Sequence, residues 1–168
     1  MANNRPQTYR VFISHAWEYN EEYHRFVNML NNAHNFRWVN YSVPEQNRLR
    51  GKTRKAIRES LRRRMRQVDI VCVLSGMFTY YSDWMQQEID MAVKLNKPII
   101  GVMPYGSPRI PQAVPKKGEC GSRSQPHESQ RIPQAVQDVA DEIVGWNTVS
   151  IVRAIRHLTK EMPRWGYK

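Results

Sequence analysis

Cysteine is scarce in this sequence: Cys72 and Cys120 are the only two. Two thiols at that separation make no disulfide framework and no metal-ligand pair, and Cys72, inside an apolar run, reads as a small buried residue. The five histidines, His15, His24, His34, His127 and His157, form no HxH or HxxxH pair, so no metal site is expected. Long apolar runs are also missing. No segment approaches the ~18–20 apolar residues of a membrane span, and Met1-Ala2-Asn3-Asn4-Arg5-Pro6 lacks the apolar stretch of a signal peptide. The chain is therefore expected to be cytoplasmic, without a membrane partner. Phosphate-cradling glycine loops are absent too. There is no GxGxxG after the first apolar strand and no GxxxxGK[ST], which disfavours a Rossmann dehydrogenase or a P-loop NTPase. No GxSxG elbow occurs, and His15 has no evident nucleophile to serve.

Acids are the minority charge. Against 26 Lys and Arg stand 15 Asp and Glu, a formal charge of +11 on 168 residues. Such an excess suits nucleic acid, an anionic surface or a phosphate-bearing ligand. Much of it lies between Arg50 and Arg66, where nine basic side chains face a single acid, Glu59. Ala56, Ile57, Ser60, Leu61 and Met65 can still give that helix a narrow buried stripe, so a solvated basic face and an anion-facing surface both fit.

The periodicity alternates strands with helices in a single domain over 1–168, with 1–8 flexible. Tyr9–Ser14 and the apolar run Val68–Gly76 read as strands, Phe36–Val43 as a second strand between them, and Ile99–Met103 as a fourth. Helices are expected at about 20–33, at 52–67, after Ser82, at 134–143 and at 148–158. Tyr23, Phe26, Val27 and Leu30 share one face of the first, and Glu21 and Glu22 lie in its first turn, where the helix dipole favours acids. Asn96-Lys97-Pro98 ends the third helix. The hexapeptide Arg109-Ile110-Pro111-Gln112-Ala113-Val114 recurs as Arg131-Ile132-Pro133-Gln134-Ala135-Val136. The intervening stretch is Pro-, Gly-, Ser- and Lys-rich, so 109–130 reads as a loop insertion left by a tandem duplication. The second copy is expected to be the structural one, because it runs into the helix at 134.

The pattern is that of an α/β fold, a three-layer flavodoxin-like domain with a central, mainly parallel sheet of four to five strands. Ligands of such sheets bind beyond the carboxyl ends of the strands where strand order reverses, here between the first and third strands. Ser14, His15 and Trp17 end the first strand. After the third comes Tyr81-Ser82-Asp83-Trp84-Met85-Gln86-Gln87-Glu88-Ile89, where Ser82 or Asp83 can cap a helix. Trp84 and Glu88, four residues apart, then share a helical face. Spacing alone favours a core Trp beside a solvated Glu; a flavodoxin-like strand order instead sets the pair across a crevice from Ser14 and His15. His15 itself reads either as a donor to a ligand or as a strand-end histidine bonded to backbone. Trp38 and Trp146 read as core or interface residues. One carboxylate with aromatics, and no metal or nucleophile set, suits cleavage of a bond with a good leaving group. The N-glycosidic bond of a nicotinamide nucleotide is such a bond: the pyridinium leaves without a general acid, and the transition state is oxocarbenium-like.

These residues also carry a resemblance. Val11-Phe12-Ile13-Ser14-His15 resembles the first motif of TIR domains, and Trp84-Met85-Gln86-Gln87-Glu88-Ile89 resembles the Trp-x-x-x-Glu segment of NAD-cleaving TIR enzymes. Phe12-Ile13-Ser14-His15-Ala16-Trp17, Asn40-Tyr41-Ser42-Val43-Pro44 and Gly145-Trp146-Asn147-Thr148 look like the bacterial TIR-like family of Thoeris antiphage defence. The loop Pro44 to Gly51 lacks the Arg-Asp-x-x-Pro-Gly motif of adaptor-type TIR domains. The resemblance implies an NAD nucleosidase or ADP-ribosyl cyclase with NAD as substrate and no cofactor. It would release nicotinamide and make a cyclic or conjugated ADP-ribose, a diffusible nucleotide signal for a separate effector. A phage-protein trigger and a homo-oligomer belong to the same expectation. Glu88 would be the catalytic carboxylate, with Ser14, His15, Trp17, Asn40, Tyr41, Ser42 and Trp84 as substrate-binding residues. The alternative class is a non-enzymatic scaffold, binding nucleic acid through the basic helix at 50–66; the lack of interleaved aromatics there argues against nucleic acid.

Overall fold

The computed structural model describes residues 7–15, 20–42, 53–77, 82–106 and 132–161. Trp17, the loop 44–51, most of the segment 1–8 and the whole insertion 109–130 lie outside the described residues. In chain order the elements are β1 (Thr8–Ser14), α1 (Asn20–Asn31), β2 (Arg37–Asn40), α2 (Arg54–Gln67), β3 (Ile70–Leu74) followed by a 3-10 turn at Ser75–Met77, α3 (Ser82–Lys94), β4 (Ile99–Val102), α4 (Gln134–Gln137), β5 (Glu142–Val144) and α5 (Thr148–Glu161). The five strands form one sheet in the order β2-β1-β3-β4-β5, all parallel. This is the flavodoxin-like order, and it reverses between β1 and β3.

Burial explains why the middle of the sheet is so apolar. Every residue of β3, Ile70-Val71-Cys72-Val73-Leu74, is 0 % exposed, and so are Val11, Phe12, Ile13 and Ser14 of β1. Strands covered by helices on both faces must be apolar on both faces. At about 1.5–3 kcal/mol for each fully buried large aliphatic side chain, this central pair dominates the hydrophobic stabilisation of the sheet. The register Ile13↔Cys72 and Ser14↔Val73 brings the carboxyl ends of β1 and β3 level. At the opposite end, Arg10 pins the pair. Its backbone N–H and its guanidinium donate to Asp69 at 2.8 and 2.9 Å, and the Asp69 N–H returns a bond to the Arg10 carbonyl.

The helices show why they start and stop where they do. Thr53 caps α2 by accepting from the Ala56 N–H at 3.3 Å, and Lys97 donates to the carbonyls of Arg66 and Val68, each at 3.0 Å, past the end of that helix. α2 buries only Leu61 and Met65 and exposes Arg54, Lys55, Arg58, Arg62, Arg63 and Arg66. The narrow stripe expected from sequence is therefore present, and most of the described basic residues of this helix face outward. Asn96, at φ 49°, adopts the left-handed turn that releases α3 toward β4.

The expected helix at 134–143 is corrected. Only Gln134–Gln137 is helical, and Glu142–Val144 forms β5 on the edge of β4. The apolar spacing of Val136, Val139, Ala140 and Ile143 mimics a helix, but backbone ladder bonds win. The Asp141 N–H donates to the Ile99 carbonyl, and the Ile99 N–H donates to the Asp141 carboxylate, both at 2.8 Å. Gly101 matters at this seam. A Cβ there would stand 3.1 Å from Val136 Cγ1, so the glycine lets α4 lie on β4. The second copy of the repeated hexapeptide thus seats Val136, 0 % exposed, in the core.

Candidate functional site

Two elements build the centre of the site. β1 ends at Ser14, whose hydroxyl points along the carboxyl edge of the sheet, and α3 carries Trp84 and Glu88 past that edge. Ser14 Oγ donates to Glu88 Oε2 at 2.7 Å, and Trp84 Nε1 donates to Glu88 Oε1 at 2.8 Å. The i, i+4 spacing on α3 makes the second bond a local one; the first spans 74 residues and exists only because β1 and β3 are neighbours. Glu88 and Ser14 are both 0 % exposed, while Trp84 is half-buried. A buried carboxylate is costly unless its oxygens are hydrogen-bonded, and here each oxygen has a charge-compatible donor.

A second chain of contacts runs beside it. His15 Nδ1 lies 2.9 Å from the Ile13 carbonyl. A carbonyl only accepts, so this nitrogen carries the proton. The imidazole stacks on Tyr23 with ring centroids 4.0 Å apart. The Tyr23 hydroxyl accepts from Asn40 Nδ2 at 2.7 Å, and Asn40 Oδ1 accepts from the Ser42 N–H at 2.9 Å. Ser42 Oγ accepts from the Ile13 N–H at 2.9 Å, returning to β1. Tyr41 is held through its backbone, its N–H donating to the Val11 carbonyl at 2.8 Å. Arg64 of the basic helix makes a long contact, 3.5 Å, with the Ser42 carbonyl.

The structure thus brings Ser14, Trp84 and Glu88 into direct contact, and links His15, Asn40 and Ser42 in an adjoining network. Tyr41 borders that network by its backbone. Ser82 opens α3 and Asp83 lies within its first turn. Sequence reasoning read Tyr23 only as part of an apolar helix face, yet it joins His15 to Asn40. Its one signal was an aromatic hydroxyl at the start of α1, on the face turned toward the strand ends.

Sequence reasoning also missed Glu22. Its side chain turns inward over Gly76, where a Cβ would lie 3.1 Å from both carboxylate oxygens and 3.3 Å from Pro104 Cα. Burial raises the Glu22 carboxyl above its usual range, and a hydrogen bond from the Tyr105 backbone offsets this in part. The Cys72 thiol is pushed up to about 12 by complete burial, so it offers no thiolate for nucleophilic chemistry. Trp146, which packs edge-on against Phe26 and Tyr105, donates Nε1 to the Met103 carbonyl. Trp38 Nε1 donates to Asn31 at 3.0 Å. Both bonds fit structural positions for these two indoles.

A buried, doubly bonded carboxylate beside an indole, at the point where strand order reverses, is a place to stabilise positive charge on a bound ligand. Among protein families, the model described as Thoeris protein ThsB, TIR-like domain, matches residues 12–109. No curated protein matches the sequence.

Proposed function

The chain belongs to the Thoeris ThsB TIR-like family, which implies a role in antiphage defence, and from that premise we propose that it cleaves NAD at Glu88. The observation that carries this reading is the placement of one fully buried carboxylate, held at both oxygens by Ser14 and Trp84, at the β1–β3 reversal. In the proposed reaction the bond between the ribose C1′ and the nicotinamide nitrogen breaks. Its electron pair neutralises the pyridinium, so the leaving group needs no proton. Positive charge develops across C1′ and the ring oxygen, and the Glu88 carboxylate stabilises it across a dry contact. Ser14 and Trp84 hold the carboxylate in place before the reaction, which spares its reorganisation during the step. Glu88 has no exposed surface of its own. NAD therefore reaches it only after a rearrangement that leaves the Ser14 and Trp84 bonds in place. His15, Asn40, Tyr41 and Ser42 would shape the pocket wall; Trp17, also expected to bind substrate, lies outside the described residues.

The ADP-ribosyl group then passes to an internal or added acceptor, giving a cyclic or conjugated signal for a separate effector. Mass spectrometry of small molecules from cells expressing wild type or Glu88→Gln, with and without phage, tests this. Nicotinamide and a new ADP-ribose species should rise in the wild type alone. Equal nicotinamide release by the two chains would refute the assignment. A second reading, a scaffold for an anionic partner, rests on the outward basic face of α2. It predicts salt-sensitive binding lost on substituting Arg62 and Arg63, with no change in nicotinamide.

A further inference from the structure

A second polar centre lies at the same edge of the sheet, one strand further along. Among the described residues, Glu22 Oε2 and Ser75 Oγ are buried side-chain oxygens without a hydrogen-bond partner. Ser75 is 1 % exposed and opens the 3-10 turn directly after β3; the next residue, Gly76, is the one over which Glu22 folds. The space for this carboxylate is built by the glycine and bounded by the Pro104 backbone beyond β4. Buried polar atoms without partners are rare in proteins, and each asks for a partner; here one belongs to Ser75 and the other lies over the adjoining Gly76. Beyond Glu22 stands an aromatic and cationic rim. Tyr105 is 54 % exposed, and the Arg25 guanidinium lies 4.8 Å from its ring centroid. Arg25 is on the same face of α1 as Glu22, three residues on.

We infer that Glu22 and Ser75 form a subsite for the vicinal diol of a nucleotide ribose, with one hydroxyl donating to the carboxylate and the other meeting the serine hydroxyl. A carboxylate is an acceptor and a hydroxyl serves either role, so the pair matches a diol rather than an anion. This rests on the NAD reading and names which part of the substrate the subsite takes. Glu88 works at the β1–β3 junction, where the scissile ribose must lie. Glu22 sits over the ends of β3 and β4, so it takes the ribose at the far end of the dinucleotide, the one that carries adenine. Tyr105, more than half exposed, lies beyond for the base. A phosphate on the 2′-hydroxyl of that ribose would meet the Glu22 carboxylate, so the site selects NAD over NADP.

Calorimetry on the full chain bearing Glu88→Gln, titrated with NAD and with NADP, measures this without turnover. NADP should bind at least about tenfold more weakly than NAD, and adding Glu22→Gln should weaken NAD about tenfold while bringing the two affinities together. Ser75→Ala, which removes one buried hydroxyl and disturbs no described partner, should weaken NAD about fivefold in the same background. It carries the test if Glu22→Gln does not fold. An NAD affinity and an NADP-to-NAD ratio within about twofold of the parent in these variants would overturn the inference. If nicotinamide release by the wild type still depends on Glu88, the cleavage reading survives that result. Absence of any NAD binding by the parent would overturn both.

Discussion

Two glutamates line the carboxyl edge of the sheet, and their surroundings differ. Glu88 has a donor at each oxygen, Ser14 from β1 and Trp84 from its own helix. Glu22 takes one backbone bond from Tyr105 and keeps an oxygen buried without a described partner. The first is a finished arrangement whose parts hold one another before any ligand arrives, as charge-stabilising groups must be if they are to avoid reorganising during a reaction. The second is an unfinished one, completed by a ligand with hydroxyl donors. The difference separates a group that acts from a group that recognises, and each substitution below should affect one side of that division.

Glu88→Gln is expected to have the largest effect, a loss of nicotinamide release of about a thousandfold or more. The fold should survive, because the amide oxygen can still accept from Trp84 and the amide nitrogen can donate to the Ser14 hydroxyl. Release assays beside thermal melting check both halves. Ser14→Ala comes next. It leaves Glu88 Oε2 buried without this donor, so stability should fall by about 1–3 kcal/mol and kcat/KM by about ten- to a hundredfold. An unchanged kcat/KM would mean that the carboxylate does not depend on being held. Trp84→Phe keeps the ring and removes the N–H. Its cost should be smaller, about 1 kcal/mol in stability and about tenfold in kcat/KM, because the half-buried indole position is less sheltered from water than Ser14.

The sequence showed more of the finished arrangement than of the unfinished one, for a physical reason. Trp84 and Glu88 are partners through helical spacing, a local rule. β1, β3 and β4 are legible because doubly covered parallel strands must be apolar throughout, and their order brought Ser14 opposite Glu88. β5 was not legible. Its three residues continue a helix-like spacing, and only the ladder to Ile99 and Ile100, with the room left by Gly101, makes them a strand. Glu22 was hidden for a similar reason. Glu21 and Glu22 both suit the first turn of α1, and nothing local distinguishes the exposed Glu21 from its neighbour. What does so is Gly76, 54 positions later in the chain, which leaves room for one carboxylate.

The smallest expected effect is on stability, and it has the opposite sign to the others. Burial raises the Glu22 carboxyl above its ordinary value of 4.5 in the folded chain. As pH rises from there, the unfolded chain releases this proton first. The folded state then binds more protons than the unfolded one, and stability falls with rising pH until the folded carboxyl has also ionised. The contribution is therefore fully present in acid and lost above the raised value. Glu22→Gln has no such titration. Its melting temperature should match or exceed that of the wild type at pH 7, and the gap should close as pH falls toward 4.5. Ser14→Ala and Trp84→Phe should instead melt below the wild type at pH 7. A gap between Glu22→Gln and wild type that stays constant from acid to neutral pH would mean that the Glu22 carboxylate is solvated rather than held over Gly76. The contrast between the two glutamates would then fail, because a solvated carboxylate gains little when a diol replaces the water already bonded to it.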